Sequence, residues 1–250
     1  MIGGQRIVAV VQARMGSTRL PGKVLMPLAG RSVLWHVVHR LSTLELFDEI
    51  VVATSTRCED DGIVAEVESL PFDTVRCFRG PEQDVLERFY LALCDRPPSV
   101  VARVTADSPL VCAEHLRRMV HHLLARALDG VDAHFEKTGL TLGFGSEVYD
   151  YRALRDAHLL ASRPEDREHV TLFIKRRPRV FHVEYPRAAP DLCSEFRLTL
   201  DYPEDYGLLS RLYDELYRSG QIVDCRQALQ WLRRHPRMAR VNAHCRQVSA

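Results

Sequence analysis

The sequence has no apolar run of membrane-spanning length, no excess of charge of either sign, no closely spaced cysteine pair and no internal repeat. Each absence excludes something. A spanning helix needs about 20 consecutive apolar residues, so no membrane segment is expected. The first residues, MIGGQR, lack the apolar core of a signal peptide, which makes a cytoplasmic protein the expectation. Lys plus Arg number 34 against 33 for Asp plus Glu. Without a basic surplus the chain is not expected to bind nucleic acid, and any anion site must be local. The seven cysteines, at 58, 77, 94, 112, 193, 225 and 245, are scattered singly and odd in number. They read as reduced thiols and not as a disulfide framework, with a zinc site a poorly supported alternative. There is no D-x-D element and no low-complexity linker. What is there is 250 residues at 46% hydrophobic, enough to bury a full core. A single domain over 1–250 is expected, with an excursion at about 137–190.

The first part alternates strand and helix. RIVAVVQ (6–12), EIVVATS (49–55), DTVRCF (73–78), SVVARVT (99–105) and VDAHF (131–135) read as buried strands. Between them lie amphipathic helices. In SVLWHVVHRLSTL, residues Val33, Leu34, Val37, Val38, Leu41 and Leu44 form one stripe, and Ser32 can cap it. EQDVLERFYLALC carries Val85, Leu86, Phe89 and Leu93 in the same way. Continuous apolar strands alternating with such helices predict an α/β fold, a mostly parallel sheet covered on both faces. Beyond residue 136 the rhythm changes. TGLTLGFGSEVYDY suits an extended ribbon, followed by a helix over 151–161 and a second through REHVTLFIKRR. RVFHVEY and EFRLTLDY read as strands, and EDYGLLSRLYDELYRSG and DCRQALQWLRRH as helices.

The chemistry concentrates in AVVQARMGSTRLPGKVL, residues 9–25, where Arg14, Arg19 and Lys23, with Gly16 and Gly22, follow the first strand. Flexible and cationic, this loop is built to receive an anion: glycines let backbone N–H groups approach phosphate oxygens, and fixed charge neutralises what develops on them. It is not a Walker loop. Five residues separate the glycines, and Val24, with no hydroxyl for magnesium, follows Lys23. In an open parallel sheet ligands bind where strand order reverses, beyond the carboxyl ends. If the order is 3-2-1-4, the fourth strand ends in RVTADSPL and sets Asp107 opposite the loop. A divalent metal between phosphates and carboxylate would reconcile the two. The acidic run at 59–61 looks metal-like, but helix N-terminal charge explains it.

QARMGSTRLPGKVL closely resembles the signature loop of the cytidylyltransferases that make CMP-activated sugar acids. With FRGPEQDVLERF, RVTADSPL and REHVT it looks most like their spore-coat-polysaccharide (SpsF-like) branch, and the resemblance covers nearly the whole chain. It implies a Rossmann-like nucleotidyltransferase fold, CTP, Mg2+, pyrophosphate release, and a small anionic acceptor such as a sugar acid, phosphonate, phosphate or carboxylate. Matched position by position, it implies that Arg14, Ser17 and Lys23 hold the triphosphate, with backbone at Ala13 and Gly16. Asp107 and Asp201 would bind the metal. Arg79, Gly80 and Asp84 fall where cytosine and ribose lie, and Glu147, Arg167 and His169 where the acceptor lies. TLGFGSEVY departs from the DGLDVEVF-like stretch expected there and lacks its acidic pair. Asp201 could instead cap the helix beginning near Pro203. The resemblance also implies a homodimer paired through the excursion. Two rivals are a glycosyltransferase of similar fold, against which the missing D-x-D element counts, and a non-catalytic nucleotide-binding protein, against which the retained Lys23, Asp107 and Asp201 count.

Overall fold

The computed structural model describes residues 4–247. Nine strands appear in chain order: β1 (Ile7–Gln12), β2 (Pro27–Leu28), β3 (Arg31–Ser32), β4 (Glu49–Ser55), β5 (Val75–Gly80), β6 (Val100–Thr105), β7 (Gly130–Asp132), β8 (Glu147–Asp150) and β9 (Val183–Glu184). Strands β2 and β3 form a small hairpin, and the other seven make one sheet in the order β5-β4-β1-β6-β8-β7-β9. Strands β4, β1, β6 and β5 are mutually parallel, which is the expected 3-2-1-4 half. The expected fifth strand does not simply extend it. β8 inserts between β6 and β7, antiparallel to both, and the ribbon after residue 140 therefore completes the sheet.

The α-helices in chain order are α1 (Val33–Ser42), α2 (Asp61–Glu68), α3 (Val85–Leu93), α4 (Ala113–Arg126), α5 (Phe135–Thr138), α6 (Tyr151–Leu160), α7 (Pro164–Glu168), α8 (Leu172–Lys175), α9 (Pro203–Leu216) and α10 (Cys225–Arg234). Alternation along the strands explains the two cores. Ile7, Ala9 and Val11 of β1 face a cluster shared with α1, α4, α9 and α10. Val8 and Val10 face the other, with α3 and α6. Ser32 caps α1 as expected, its Oγ accepting from Trp35 N at 2.9 Å; such a cap contributes about 1 kcal/mol. Leu229 and Leu232 are fully buried against the first core.

Three expectations are corrected. The single helix through REHVTLFIKRR is two short ones, Pro164–Glu168 and Leu172–Lys175, broken at His169. Phe135, expected in a strand, begins the helical turn Phe135–Thr138. EFRLTLDY is extended but forms no ladder. Leu198 N bonds Leu142 O at 2.9 Å, and Leu200 N bonds Asp107 O at 2.9 Å. Gly143 makes this crossing possible: its φ is 99°, and a Cβ there would lie 2.3 Å from the Leu198 carbonyl carbon. The crossing brings residue 201 alongside residue 107.

Candidate active site

The cationic loop is tied down from below. Met15 N donates to Asp60 Oδ1 at 2.7 Å, while Asp60 Oδ2 accepts from Ser55 N and Oγ. Burial alone would raise the Asp60 pKa, but these donors outweigh it and hold the carboxylate low. The middle of the acidic run is thus a buried clamp for the loop. It makes no side-chain cap on the helix that follows, whose first turn carries Asp61, so helix N-terminal charge accounts for part of the acidic run and the loop clamp for Asp60. Met15 O in turn accepts from Ser17 N at 2.8 Å and Gly22 N at 3.0 Å, and Gly22 takes a left-handed φ of 72°. This turn aims Lys23 inward.

Lys23 is buried, and all three of its ammonium protons are used. Nζ lies 2.6 Å from Asp107 Oδ2, 2.7 Å from Leu200 O and 2.9 Å from Asp201 Oδ1. Burial disfavours its charge, but the two carboxylates overcome that and raise its pKa. Asp107 is held below the usual carboxylate range for the converse reason: burial pushes it up, and Lys23 more than offsets this. Asp201 also accepts from Arg19 Nη2 at 2.9 Å and from Arg197 Nη2 at 2.6 Å. It does not cap α9. Asp205 does that work, accepting from the amides of Asp201 and Tyr202 at 2.9 and 3.0 Å, and also from Arg197 and Asn242. Asp201 is therefore left facing the site. The two carboxylates, 94 positions apart in sequence, meet at one nitrogen.

A cleft of about 210 Å³ runs along the loop, lined by Arg14, Ser17, Arg19, Lys23, Asp107 and Asp201 among others. Arg14 is exposed and makes no ion pair with the described residues. It also borders a second cleft of about 470 Å³ with Glu82, Asp84, Pro164 and Arg167. Asp84 is the N-cap of α3, accepting from Glu87 N at 2.8 Å, and its other oxygen pairs with Arg167 Nη2 at 2.6 Å. Several expected contacts fall elsewhere. The Ala13 amide is spent on Ala53 O at 3.2 Å. Arg79 turns away, its guanidinium bonded to Asp61 and to the carbonyls of Ser55 and Arg57. Gly80 lies under side chains, where a Cβ would meet Arg88 Cγ at 3.0 Å. Arg167 sits with Asp84 and Arg14, apart from Glu147 and His169. Gly16 is exposed, with open space around it.

Glu147 and His169 line a third cavity of about 530 Å³, which shares Arg19, Thr105, Asp107 and Asp201 with the loop cleft. Its floor is a row of charge across the sheet. Antiparallel register places Arg103 opposite Glu147, and Glu147 opposite Asp132. Arg103 Nη1 bonds Glu147 at 2.8 Å, and Lys175 Nζ bonds Glu147 at 2.6 Å and Asp132 at 2.8 Å. Burial would raise the Glu147 pKa, but Lys175 and Arg103 hold it well below the usual range. Asp132 is pushed up by burial and by Glu147 beside it. Arg103, Asp132, Thr171 and Lys175 were not singled out from sequence. The available signal was a charged residue interrupting an apolar strand, as in VVARVT and GVD.

The donor chemistry of Asp107 and Asp201 fits a hard divalent cation, since both offer only oxygen. The Lys23 ammonium between them already stands in for a positive charge at that point. No helix among the described residues is long and apolar enough to cross a membrane. The seven cysteines are free thiols.

Three comparisons bear on this geometry. The cytidylyltransferase family model matches residues 8–223. The chain is 37% identical over 247 residues to an uncharacterised protein of Methanocaldococcus jannaschii, covering 98% of this chain and 97% of that one. It is 35% identical over 222 residues to the spore coat polysaccharide biosynthesis protein SpsF of Bacillus subtilis, covering 84% and 87%. A solved structure of a cytidylyltransferase from Leptospira borgpetersenii superposes with a TM-score of 0.85 at 23% identity, over 98% of this chain and all of that one. The α/β nucleotidyltransferase fold follows from that match and from the sheet order.

Proposed function

The chain belongs to the cytidylyltransferase family, and we propose that it transfers CMP from CTP to a small anionic acceptor, releasing pyrophosphate. One observation carries this reading. Arg19, Asp107 and Asp201 line both the loop cleft and the 530 Å³ cavity, and Lys23, which lines the loop cleft, bonds both carboxylates. The triphosphate occupies the loop cleft, with Arg14, Ser17, Arg19 and Lys23 along it. The nucleoside extends toward the cleft beside Asp84, and the acceptor occupies the cavity above Glu147, with His169 and Arg19 at its wall. An acceptor oxygen then lies next to the α-phosphorus. It attacks in line, the new O–P bond forms, and the bond to the bridging oxygen of the β-phosphate breaks. The pyrophosphate leaves toward Arg14 and Lys23, whose charge is in place beforehand. An acceptor whose nucleophile is already anionic needs no general base.

Magnesium is the proposed cofactor. Asp107 and Asp201 would hold it, and it would neutralise phosphate charge when bound. The cavity suits a polyhydroxylated acid: Arg19, Lys137 and His169 can meet negative charge, while Asp132 and Glu147 can accept from hydroxyl groups. The SpsF likeness favours an acceptor from polysaccharide biosynthesis. A homodimer belongs to the same proposal. The excursion carries Leu159, Leu160 and Val180, each about two-thirds exposed. The test is pyrophosphate release with CTP, Mg2+ and a panel of sugar acids, phosphonates and phosphates. Release that depends on one acceptor class supports the reading, and none with any acceptor defeats it.

A further inference from the structure

FRGPEQDVLERF contains a residue that the proposed chemistry does not use. Arg88, on α3, is fully buried. Its Nη1 donates to the carbonyl oxygens of Pro81 at 2.6 Å and Glu82 at 3.2 Å, but Nε and Nη2 have no partner among the described residues. Its stem rests on Gly80, whose missing side chain makes the room. The carboxylates around it are committed elsewhere. Asp60 is taken by Met15 and Ser55, Asp84 by Glu87 N and Arg167, and Glu82 faces Arg57 at 3.6 Å. Burial first, and the charge of Arg14 second, bring its pKa down to about 10, so it stays charged near neutrality.

A buried cation with idle donors and no counter-ion is unfavourable, and an apolar side chain of similar volume would be accommodated at least as well. Such costs are found where function uses them. Here the neighbouring cation is Arg14, which borders both the loop cleft and the 470 Å³ cleft. Neither guanidinium group makes an ion pair with the described residues, so the two repel each other beside a cleft that Glu82, Asp84 and Glu168 also line. We propose that Arg88 is a positioning residue for the nucleotide: it fixes the carbonyls of Pro81 and Glu82 beside the cleft, and its buried charge keeps the Arg14 guanidinium turned outward to meet the phosphates. This rests on reading the clefts as the nucleotide site.

The test compares wild type with Arg88→Met and Arg88→Lys, titrating CTP and inorganic tripolyphosphate with Mg2+ by calorimetry and recording thermal unfolding without ligand. Arg88→Met is expected to unfold no earlier than wild type, yet to bind both anions about tenfold more weakly, as the loss of one partly screened charge predicts. Arg88→Lys is expected to bind them nearly as tightly as wild type. If Arg88→Met does not fold, Arg88→Gln, which keeps a donor for the two carbonyls without the charge, carries the same expectation of weaker binding. Wild-type affinity for both anions in the uncharged variant overturns the proposal, as does a lysine variant as weak as the uncharged one, which would make Arg88 a strut. Wild type binding tripolyphosphate but not CTP would defeat the nucleotide reading while leaving Arg88 to be judged on tripolyphosphate. Binding of neither defeats both.

Discussion

Replacing Lys23 by alanine should both slow the enzyme and loosen the fold, and the second effect follows from burial. Read from sequence, Lys23 sits in an exposed loop, where substitutions change stability by less than about 0.5 kcal/mol. The structure buries it against Asp107, Asp201 and Leu200 O. Removing one partner of a buried ion pair costs about 3–5 kcal/mol. Two features reduce that here. The Asp107 side chain keeps 24% of its surface exposed, and Asp201 retains Arg19 and Arg197. A loss of about 2 kcal/mol remains. For a chain of this size each kcal/mol moves Tm by about 2–4 °C, so Lys23→Ala should unfold about 4–8 °C early. The assay is thermal unfolding with and without Mg2+. With the ammonium gone, Asp107 loses its cation while Asp201 keeps Arg19 and Arg197, so Mg2+ should raise the Tm of the variant more than that of wild type. Pyrophosphate release should fall by about a hundredfold or more. An unchanged Tm, or a magnesium shift no larger than in wild type, would refute the idea that these carboxylates share a cation.

Other expectations follow from the same geometry. Asp107→Asn or Asp201→Asn should abolish magnesium-dependent turnover yet largely keep CTP binding, and the double variant should be no slower than the slower single one; multiplying losses would mean that the two do not act on one ion. Asp201→Asn should also unfold earlier, because three cations face it. His115 is buried with both ring nitrogens unpartnered, and burial lowers its pKa to about 4. Between that value and its ordinary one near 6.5 the unfolded chain binds a proton that the folded one excludes, so this group makes stability rise with pH by up to about 3 kcal/mol across that window. His115→Met should flatten denaturant-measured stability between pH 4 and 6.5; an unaltered slope would place its origin elsewhere, His36 being the other buried histidine held near 4. Light scattering should give a dimer mass, and Leu159→Glu with Leu160→Glu a monomer; a monomeric wild type contradicts the pairing.

The parallel half of the fold was legible because strands buried on both faces read as unbroken apolar runs, and the loop after β1 announced itself by charge and glycine. The rest was hidden for physical reasons. Strand β9 has two residues and is set by its neighbour β7, not by its own pattern. The break at His169 lies in a sequence with no glycine or proline to mark it. Helix capping near Pro203 falls to Asp205 and not to Asp201, a choice made by tertiary contacts with Arg197 and Asn242. The charged row Arg103–Glu147–Asp132 exists only through register between strands far apart in the chain. Arg79 and Arg88 were equivalent as letters. Only the structure sends one to Asp61 and buries the other against the carbonyls of Pro81 and Glu82.

The most direct test of the central claim is acceptor-dependent pyrophosphate release with each of the four nucleoside triphosphates at saturating Mg2+. Release with CTP well above that with UTP, ATP or GTP, appearing only when an anionic acceptor is present and lost in Asp107→Asn, is the predicted result. Preference for a purine nucleotide, or no release from CTP with any anionic acceptor, would contradict it.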